Sequence, residues 1–368
     1  MDKQEKVGIL TFSNAYNYGA MLQAYALQST IADLGHDTYI IRFVDPHLQT
    51  YENSLYFFRQ KGMKKKLLFI AKTLLKPSET HKWKKKIRRL RRFAYSSFRF
   101  TEAYTPFTIA KSNDFIDTFV IGSDQVWNTK HYGYQPFYFG SFISPDKKLI
   151  SYAASFGKES MTGYEYQLLK DNLPKYSALS IREKSGCRLL EKYLNAKAEN
   201  VLDPTFLRKR DFWVNLASRS KLKIKKPYVL LFFVQEASNT VALAEKYAKE
   251  HNCMVLSLNT LKAKIKYRDV SDSSLEDFLW LIEHAECVFT TSFHGLALSI
   301  NFNTNFYYEL LHSPFNTNSR LIDLCSSLGI LGREITDKLS GKEIDWKDVN
   351  AKLEPLRQAS IDYLIKSL

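Results

Sequence analysis

The sequence predicts an α/β protein of two doubly wound Rossmann-like domains, with a basic helical insertion in the first. Three observations predict it. Short apolar strand-like runs alternate with helical periods from residue 6 onward, the order that builds parallel sheets. The same alternation starts afresh after Pro227. The 368 residues exceed what one ordinary core takes and suit two domains.

In chain order, residues 6–12 read as a buried strand, 20–34 as a helix stopped by Gly35, and 39–44 as the next strand. After a basic segment the alternation resumes, with strands at 118–121 and 149–154, a helix at 163–173, a strand at 178–181 and a helix at 183–193. Val201-Leu202-Asp203-Pro204 ends this series, because proline stops a strand and sets a turn. Residues 1–205 thus form the first domain, with the insertion at about 54–100, and 206–226 read as a linker in which Phe212-Trp213 marks a packed helical piece. The second domain, 227–345, has strands at 228–234, 254–258, 287–290 and 305–308. Its helices are expected at 239–250, 274–285, 295–302 and 318–328, with a further helix at 346–368 closing the chain.

The hydrophobic fraction of 45% and charged fraction of 25% belong to a globular chain and exclude a disordered or fibrous one. The first apolar run is too short for a signal peptide, and no stretch nears the roughly 20 apolar residues of a membrane span. Cys187, Cys253, Cys287 and Cys325 are too scattered for a metal cluster or disulfide framework, which fits a cytoplasmic protein. The net charge of +15 is concentrated: Arg59 to Arg99 hold 16 Lys and Arg against one acid, Glu79. Within it, residues 64–76 have the pattern of an interfacial amphipathic helix, followed by a second basic stretch from Lys82 to Arg92. Residues 61–92 therefore read either as a surface for anionic membrane or as a solvated hairpin packed on the first domain. Aromatic residues are sparse there and no nucleic-acid-binding fold frames the charge, so nucleic acid is not an expected partner.

In doubly wound sheets, ligands sit beyond the carboxyl ends of the strands, so the loops after strands are the places to look for chemistry. Behind the first strand, Asn17-Tyr18-Gly19 open a helix whose N–H groups suit an anion or sugar hydroxyls, with Asn17 alternatively a simple cap. Ser123, Asp124 and Gln125 follow the strand ending at Gly122, and Asp124 is a candidate general base or an N-cap. Arg182 follows another strand, where its planar fork matches a carboxylate or phosphate, or else a local acid. In the second domain Ser292, His294 and Gly295 lie where a strand turns into an apolar helix. That turn suits an anion, with a histidine able to move protons near neutral pH. Arg320, at another helix opening, is a candidate to complete an anion site.

These segments, in their order from about residue 7 to 333, resemble the polysaccharide pyruvyl transferase family. The residues that carry the resemblance are Asn17-Tyr18-Gly19-Ala20, Ile121-Gly122-Ser123-Asp124-Gln125-Val126-Trp127-Asn128, Ser151 to Gly157, Ser180-Ile181-Arg182-Glu183, Leu202-Asp203-Pro204-Thr205, Ser292-Phe293-His294-Gly295 and Asn318-Ser319-Arg320. Gly-Ser-Asp-Gln-Val-Trp-Asn is the most distinctive of them. The resemblance implies a fold similar to the glycosyltransferase-B architecture, with the first domain on the acceptor side and the second on the donor side. It also implies phosphoenolpyruvate as co-substrate with no further cofactor or metal, and an undecaprenyl-linked glycan as acceptor at the inner face of the membrane. It implies that Arg182 and the Ser292–His294 turn contribute to the donor site. The acids, bases and cations that ketal formation needs further suggest Ser292, Gly295 and Arg320 for the donor, Asn17, Tyr18, Gly19, Ser123 and Gln125 for the acceptor, and His294 and Asp124 for catalysis. His131 is a candidate for a catalytic histidine of the first domain. The competing classes are a nucleotide-sugar glycosyltransferase, with Glu309 as a ribose ligand, and a non-catalytic glycan-binding protein.

Overall fold

The computed structural model describes residues 5–13, 16–44, 77–130, 135–259, 261–263, 265–311, 318–340 and 342–368. The amphipathic stretch expected at 64–76 and His131 lie outside the described residues. The chain divides into two compact units. One holds the residues up to Phe156 with Ser160–Pro204 and Ile361–Leu368, and the other holds Gly157–Glu159 with Thr205–Ser360.

The first unit runs β1 (Lys6–Leu10), α1 (Tyr18–Asp33), β2 (Asp37–Phe43), α2 (Pro77–Ser97), β3 (Phe100–Tyr104), β4 (Thr118–Ile121), β5 (Lys148–Ser151), α3 (Gly163–Asn172), β6 (Ser180–Ile181), α4 (Lys184–Leu194) and β7 (Glu199–Asn200). Its main sheet has the order β3-β2-β1-β4-β5, every pair parallel, with Ile9 opposite Ile40 on one side and Val120 on the other. Val7, Ile9, Leu10, Phe119, Val120 and Ile121 are buried, as expected for strands covered on both faces. Helix α1 stops because Gly35, at φ 98°, turns the chain left-handed while its N–H donates to Ala32 O. The strand expected to reach residue 154 ends at Ser151, since Ala153 at φ 48° bends the backbone away.

The basic segment enters this sheet in a way composition did not indicate. Helix α2 is the crossover between parallel strands β2 and β3, part of the βαβ framework rather than an appendage to it. Leu90, Phe93 and Ala94 are its buried stripe. The rings of Phe93 and Phe98 pack on Tyr25 of α1.

The second unit contains α5 (Arg210–Ala217), β8 (Tyr228–Phe232), α6 (Ser238–Glu250), β9 (Met254–Ser257), β10 (Arg268–Asp269), α7 (Leu275–Glu283), β11 (Cys287–Thr290), α8 (Phe293–Phe302), β12 (Phe306–Tyr308) and α9 (Ser319–Leu328). Its sheet, β10-β9-β8-β11-β12, is again wholly parallel and repeats the strand order of the first. The stretch 206–226 holds helix α5, which packs on α7. There Trp213 is buried with its indole N–H on Thr205 O at 3.1 Å, and the Ser220 hydroxyl donates to Asp277 at 2.7 Å. Helix α10 (Trp346–Ser367) closes the chain, and its Tyr363 hydroxyl donates to Ser151 O at 2.8 Å. Among the described residues no helix is long and apolar enough to cross a membrane.

Candidate functional site at the strand ends of each unit

In each sheet the chain order reverses between two central strands: β1 and β4 in the first unit, β8 and β11 in the second. Beyond the carboxyl ends of such a pair the following loops diverge to opposite faces and leave a crevice, where open α/β sheets bind ligands. Among the described residues singled out from sequence, all but Arg320, which opens helix α9, fall at these two places or along the neighbouring strand ends.

In the first unit the loop after β4 is bound tightly to its neighbours. Thr11 Oγ1 donates to Ser123 O at 2.8 Å, Gln23 Nε2 donates to Thr11 Oγ1, and Ser123 Oγ donates to Ala153 O at 3.1 Å. The Gly122–Ser123 peptide is cis. Gly122 sits at φ 119°, and a Cβ there would lie 2.3 Å from Tyr152 O, so glycine alone fits. Ser123, expected to meet the acceptor, is fully buried; its hydroxyl ties strand ends together. Gln125 likewise braces its own loop, its Oε1 accepting from Asn128 Nδ2 at 2.9 Å. Asn17 is the N-cap of α1, accepting from Gly19 N at 2.9 Å and Ala20 N at 3.4 Å. Asp124, at φ 73°, keeps 16% of its side chain exposed.

Arg182 has a different posture from the one expected of a donor ligand. Its side chain is 2% exposed, with Nη1 on Asp203 Oδ2 at 2.6 Å and Nη2 on Asp124 Oδ1 at 3.3 Å. Burial works against its charge, but Asp203, Asp124 and Glu183 outweigh burial and hold the guanidinium above its ordinary pKa. A cation flanked by two carboxylates has little field left for an incoming phosphate. Its geometry instead fixes Asp124, the more exposed of the two acids. Glu183 supports the same region: fully buried, it accepts from Ser155 Oγ at 3.0 Å and Phe156 N at 2.8 Å.

In the second unit the turn after β11 is held by hydroxyls. Thr290 Oγ1 donates to Phe232 O at 2.6 Å and accepts from Ser292 N, while Thr291 Oγ1 donates to Gln235 O at 3.1 Å and accepts from Val234 N. Ser292 caps α8 by accepting from Gly295 N. Gly295 lets α8 lie against the sheet, since a Cβ would stand 2.5 Å from Thr290 Oγ1 and 2.9 Å from Phe232 Cδ1. The first turn of α8 carries His294, 8% exposed, whose ring meets the Phe293 ring edge-on at 5.4 Å. The Arg320 guanidinium lies 5.6 Å from the centre of the same Phe293 ring. His294 and Arg320 therefore both lie against one aromatic ring, that of the residue following the Ser292 cap. Glu309 is used within the fold, its Oε2 accepting from Thr240 N and the Thr240 hydroxyl in the first turn of α6.

Two residues escaped the sequence reading. Lys158, directly behind the Ser151–Gly157 motif, is buried to 3%. Lys86 of α2 places its Nζ over the ring of Tyr18 at 4.1 Å. Burial pushes the Lys86 ammonium down to about 8. Lys158 has a signal in the sequence, its place beside a motif. Lys86 has none, being one of eight basic residues on its helix.

Two Rossmann-like units, each with polar and charged groups at its switch point, define an α/β fold similar to the glycosyltransferase-B architecture. The chain belongs to the polysaccharide pyruvyl transferase family, whose sequence model matches residues 17–308. No curated protein matches the chain by sequence. Among solved structures its fold is similar to a putative UDP-N-acetylglucosamine 2-epimerase from Listeria monocytogenes, with TM-score 0.50, 9% identity and coverage of 100% of this chain and 92% of that one. It is also similar to the UDP-GlcNAc 2-epimerase of Neisseria meningitidis bound to UDP-GlcNAc, with TM-score 0.51, 8% identity and coverage of 98% and 93%. An α-glucosyltransferase in complex with UDP and a 13-mer DNA matches with TM-score 0.50, 8% identity and coverage of 99% and 92%.

Proposed function

We propose that this transferase moves the enolpyruvyl group of phosphoenolpyruvate onto a sugar of a lipid-linked surface-polysaccharide precursor, forming a cyclic ketal. Family membership supports the reaction class. The observation that carries the assignment of roles is the division of groups between the two strand edges: a braced, partly exposed carboxylate on one, and a histidine and an arginine around a capped helix start on the other.

In this reading the first unit takes the acceptor and the second the donor. A proton is added to the methylene carbon of phosphoenolpyruvate, leaving an oxocarbenium-like carbon at its neighbour. A sugar hydroxyl attacks that carbon and gives up its proton. The bond from carbon to the phosphate oxygen then breaks, releasing inorganic phosphate, and an adjacent hydroxyl closes the ring with loss of its own proton. Asp124 takes the hydroxyl proton, its orientation set by Arg182. Arg320 holds the donor's anionic groups, and His294 contacts the phosphate or moves the proton to carbon.

Incubating pure protein with phosphoenolpyruvate and a glycan panel tests this. Phosphate release should require an acceptor with two neighbouring hydroxyls, and the product should gain the mass of the ketal. His294→Ala and Arg320→Ala should each cost about 2–4 kcal/mol of transition-state stabilisation. The solved UDP-bound neighbours motivate the rival reading of a nucleotide-sugar glycosyltransferase. Thermal stabilisation by a nucleotide sugar but not by phosphoenolpyruvate would replace the first reading with the second.

A further inference from the structure

A cavity of about 510 Å³ opens within the first unit, among the starts of β5, β6 and β7 and the last turns of α10. Lys148 opens β5, residues 176–179 lead into β6, and residues 197–199 lead into β7. These strands pair in parallel, β4 with β5 and β6 with β7, so the cavity lies toward their amino ends. Asp124 and Arg182 follow the carboxyl ends of β4 and β6. Open α/β sheets bind substrates beyond the carboxyl ends, which sets this cavity apart from the crevice of the switch point.

Three distant segments each bring a lysine to it: Lys148 from β5, Lys197 from the turn before β7 and Lys366 from α10. Lys148 Nζ donates to the main-chain oxygen of Leu368 at 2.6 Å. Among the described residues Lys197 and Lys366 have no ion-pair partner, and Glu199 is the one acid in the wall. A concavity lined mainly by one sign of charge focuses its field and concentrates counter-ions, as lysines on a convex face do not. Two tyrosines in the wall keep their polar ends turned away. The Tyr363 hydroxyl donates to Ser151 O at 2.8 Å, and the buried Tyr176 hydroxyl lies beside Gly140. Their side chains therefore meet an occupant through ring carbon. Ammonium groups facing ring carbon suit a molecule with phosphates at one end and a flat heterocycle at the other. The volume falls in the roughly 300–1,000 Å³ range of small-molecule sites, well beyond what a bare anion fills.

We propose that this cavity binds a nucleotide at a site separate from both substrates. Lys197 and Lys366 take the phosphates, and the rings of Tyr176 and Tyr363 border the base. The assignment of donor and acceptor to the two units plays no part in it.

Isothermal titration of the full chain with UDP, ADP, GDP and inorganic pyrophosphate tests the site. At least one nucleotide should bind, and more tightly than pyrophosphate, which cannot reach lysines and rings together. Lys197→Gln/Lys366→Gln should weaken that nucleotide about 10-fold or more, while Lys197→Arg/Lys366→Arg stays within about 3-fold of wild type. Lys223→Gln/Lys225→Gln removes the same charge from exposed positions of the second unit and should stay within about 2-fold. Arg320→Ala, distant in the chain and on the other unit, should also stay within about 2-fold. Melting curves should confirm that each variant is folded. The proposal is overturned if wild type binds none of the three nucleotides, if pyrophosphate binds as tightly, or if both glutamine pairs weaken binding equally. Loss of nucleotide binding in Arg320→Ala alone would place the nucleotide in the second unit, overturning the proposal in favour of the glycosyltransferase reading. Phosphoenolpyruvate enters none of these titrations, so pyruvyl transfer and this site stand or fall separately.

Discussion

Replacing Arg182 with methionine separates a structural anchor from a donor ligand. The side chain is 2% exposed, and Asp203, bonded to it at 2.6 Å, is fully buried. Taking away the guanidinium leaves the Asp203 carboxylate in the interior without its counter-charge, and breaking such a buried pair costs about 3–5 kcal/mol. Asp203→Asn keeps a hydrogen-bonding group and leaves Arg182 paired with Asp124, so its expected cost is smaller, about 1–3 kcal/mol. The double variant Arg182→Met/Asp203→Asn should be more stable than the sum of the two single costs implies, by on the order of 1–3 kcal/mol, because the two groups touch. Urea unfolding followed by circular dichroism measures these values. Hydrogen exchange over residues 180–204 assigns the loss to the first unit, since two units need not unfold together. A cost below about 1 kcal/mol for Arg182→Met, the range of exposed pairs, would refute the buried-anchor argument. Unchanged stability with a raised dissociation constant for phosphoenolpyruvate would return the arginine to the donor.

Two further outcomes follow from the geometry. Gly122→Ala forces a methyl against Tyr152 O at 2.3 Å and strains a φ of 119°, so it should destabilise the first unit by about 3 kcal/mol or more, read as a lowered melting temperature. Lys86 is held near 8 in the folded protein against its ordinary 10.5, so the unfolded chain binds the extra proton between those values. Folding stability from this group therefore rises as pH climbs from about 8 toward 10.5 and is at its lowest below 8. Lys86→Met should flatten that part of the wild-type stability profile, and an identical slope in both proteins would contradict the assignment.

The alternation of strands and helices was legible in the sequence because hydrophobic periodicity is a local property. Buried parallel strands such as Val229 to Phe232 announce themselves as continuous apolar runs, and Ser274 with Asp277 marks the start of α7 as a capping box. The repeated placement of functional residues after strands was legible for the same reason. Strand β3 was not: Phe100-Thr-Glu-Ala-Tyr104 mixes polar and apolar residues, as a sheet-edge strand tolerates, and lacks an apolar run. Helix α2 falls within the expected helical insertion, but its place in the sheet's framework was obscured by its own charge, since three buried residues among eight basic ones give a faint stripe.

The sequence alone determined the fold class, the family, the strand-end positions of Asp124, Arg182 and His294 and the helix-opening position of Arg320, since each follows from neighbours in the chain. Tertiary structure decided what those side chains face. Whether Arg182 grips a ligand or an acid depends on Asp203 and Asp124, 21 and 58 residues away, and on the burial that strengthens their pairing. Which lysine of α2 turns inward depends on the phase of that helix against Tyr18. Charge and residue type are written locally, but the partner of a charge is chosen by packing between distant segments.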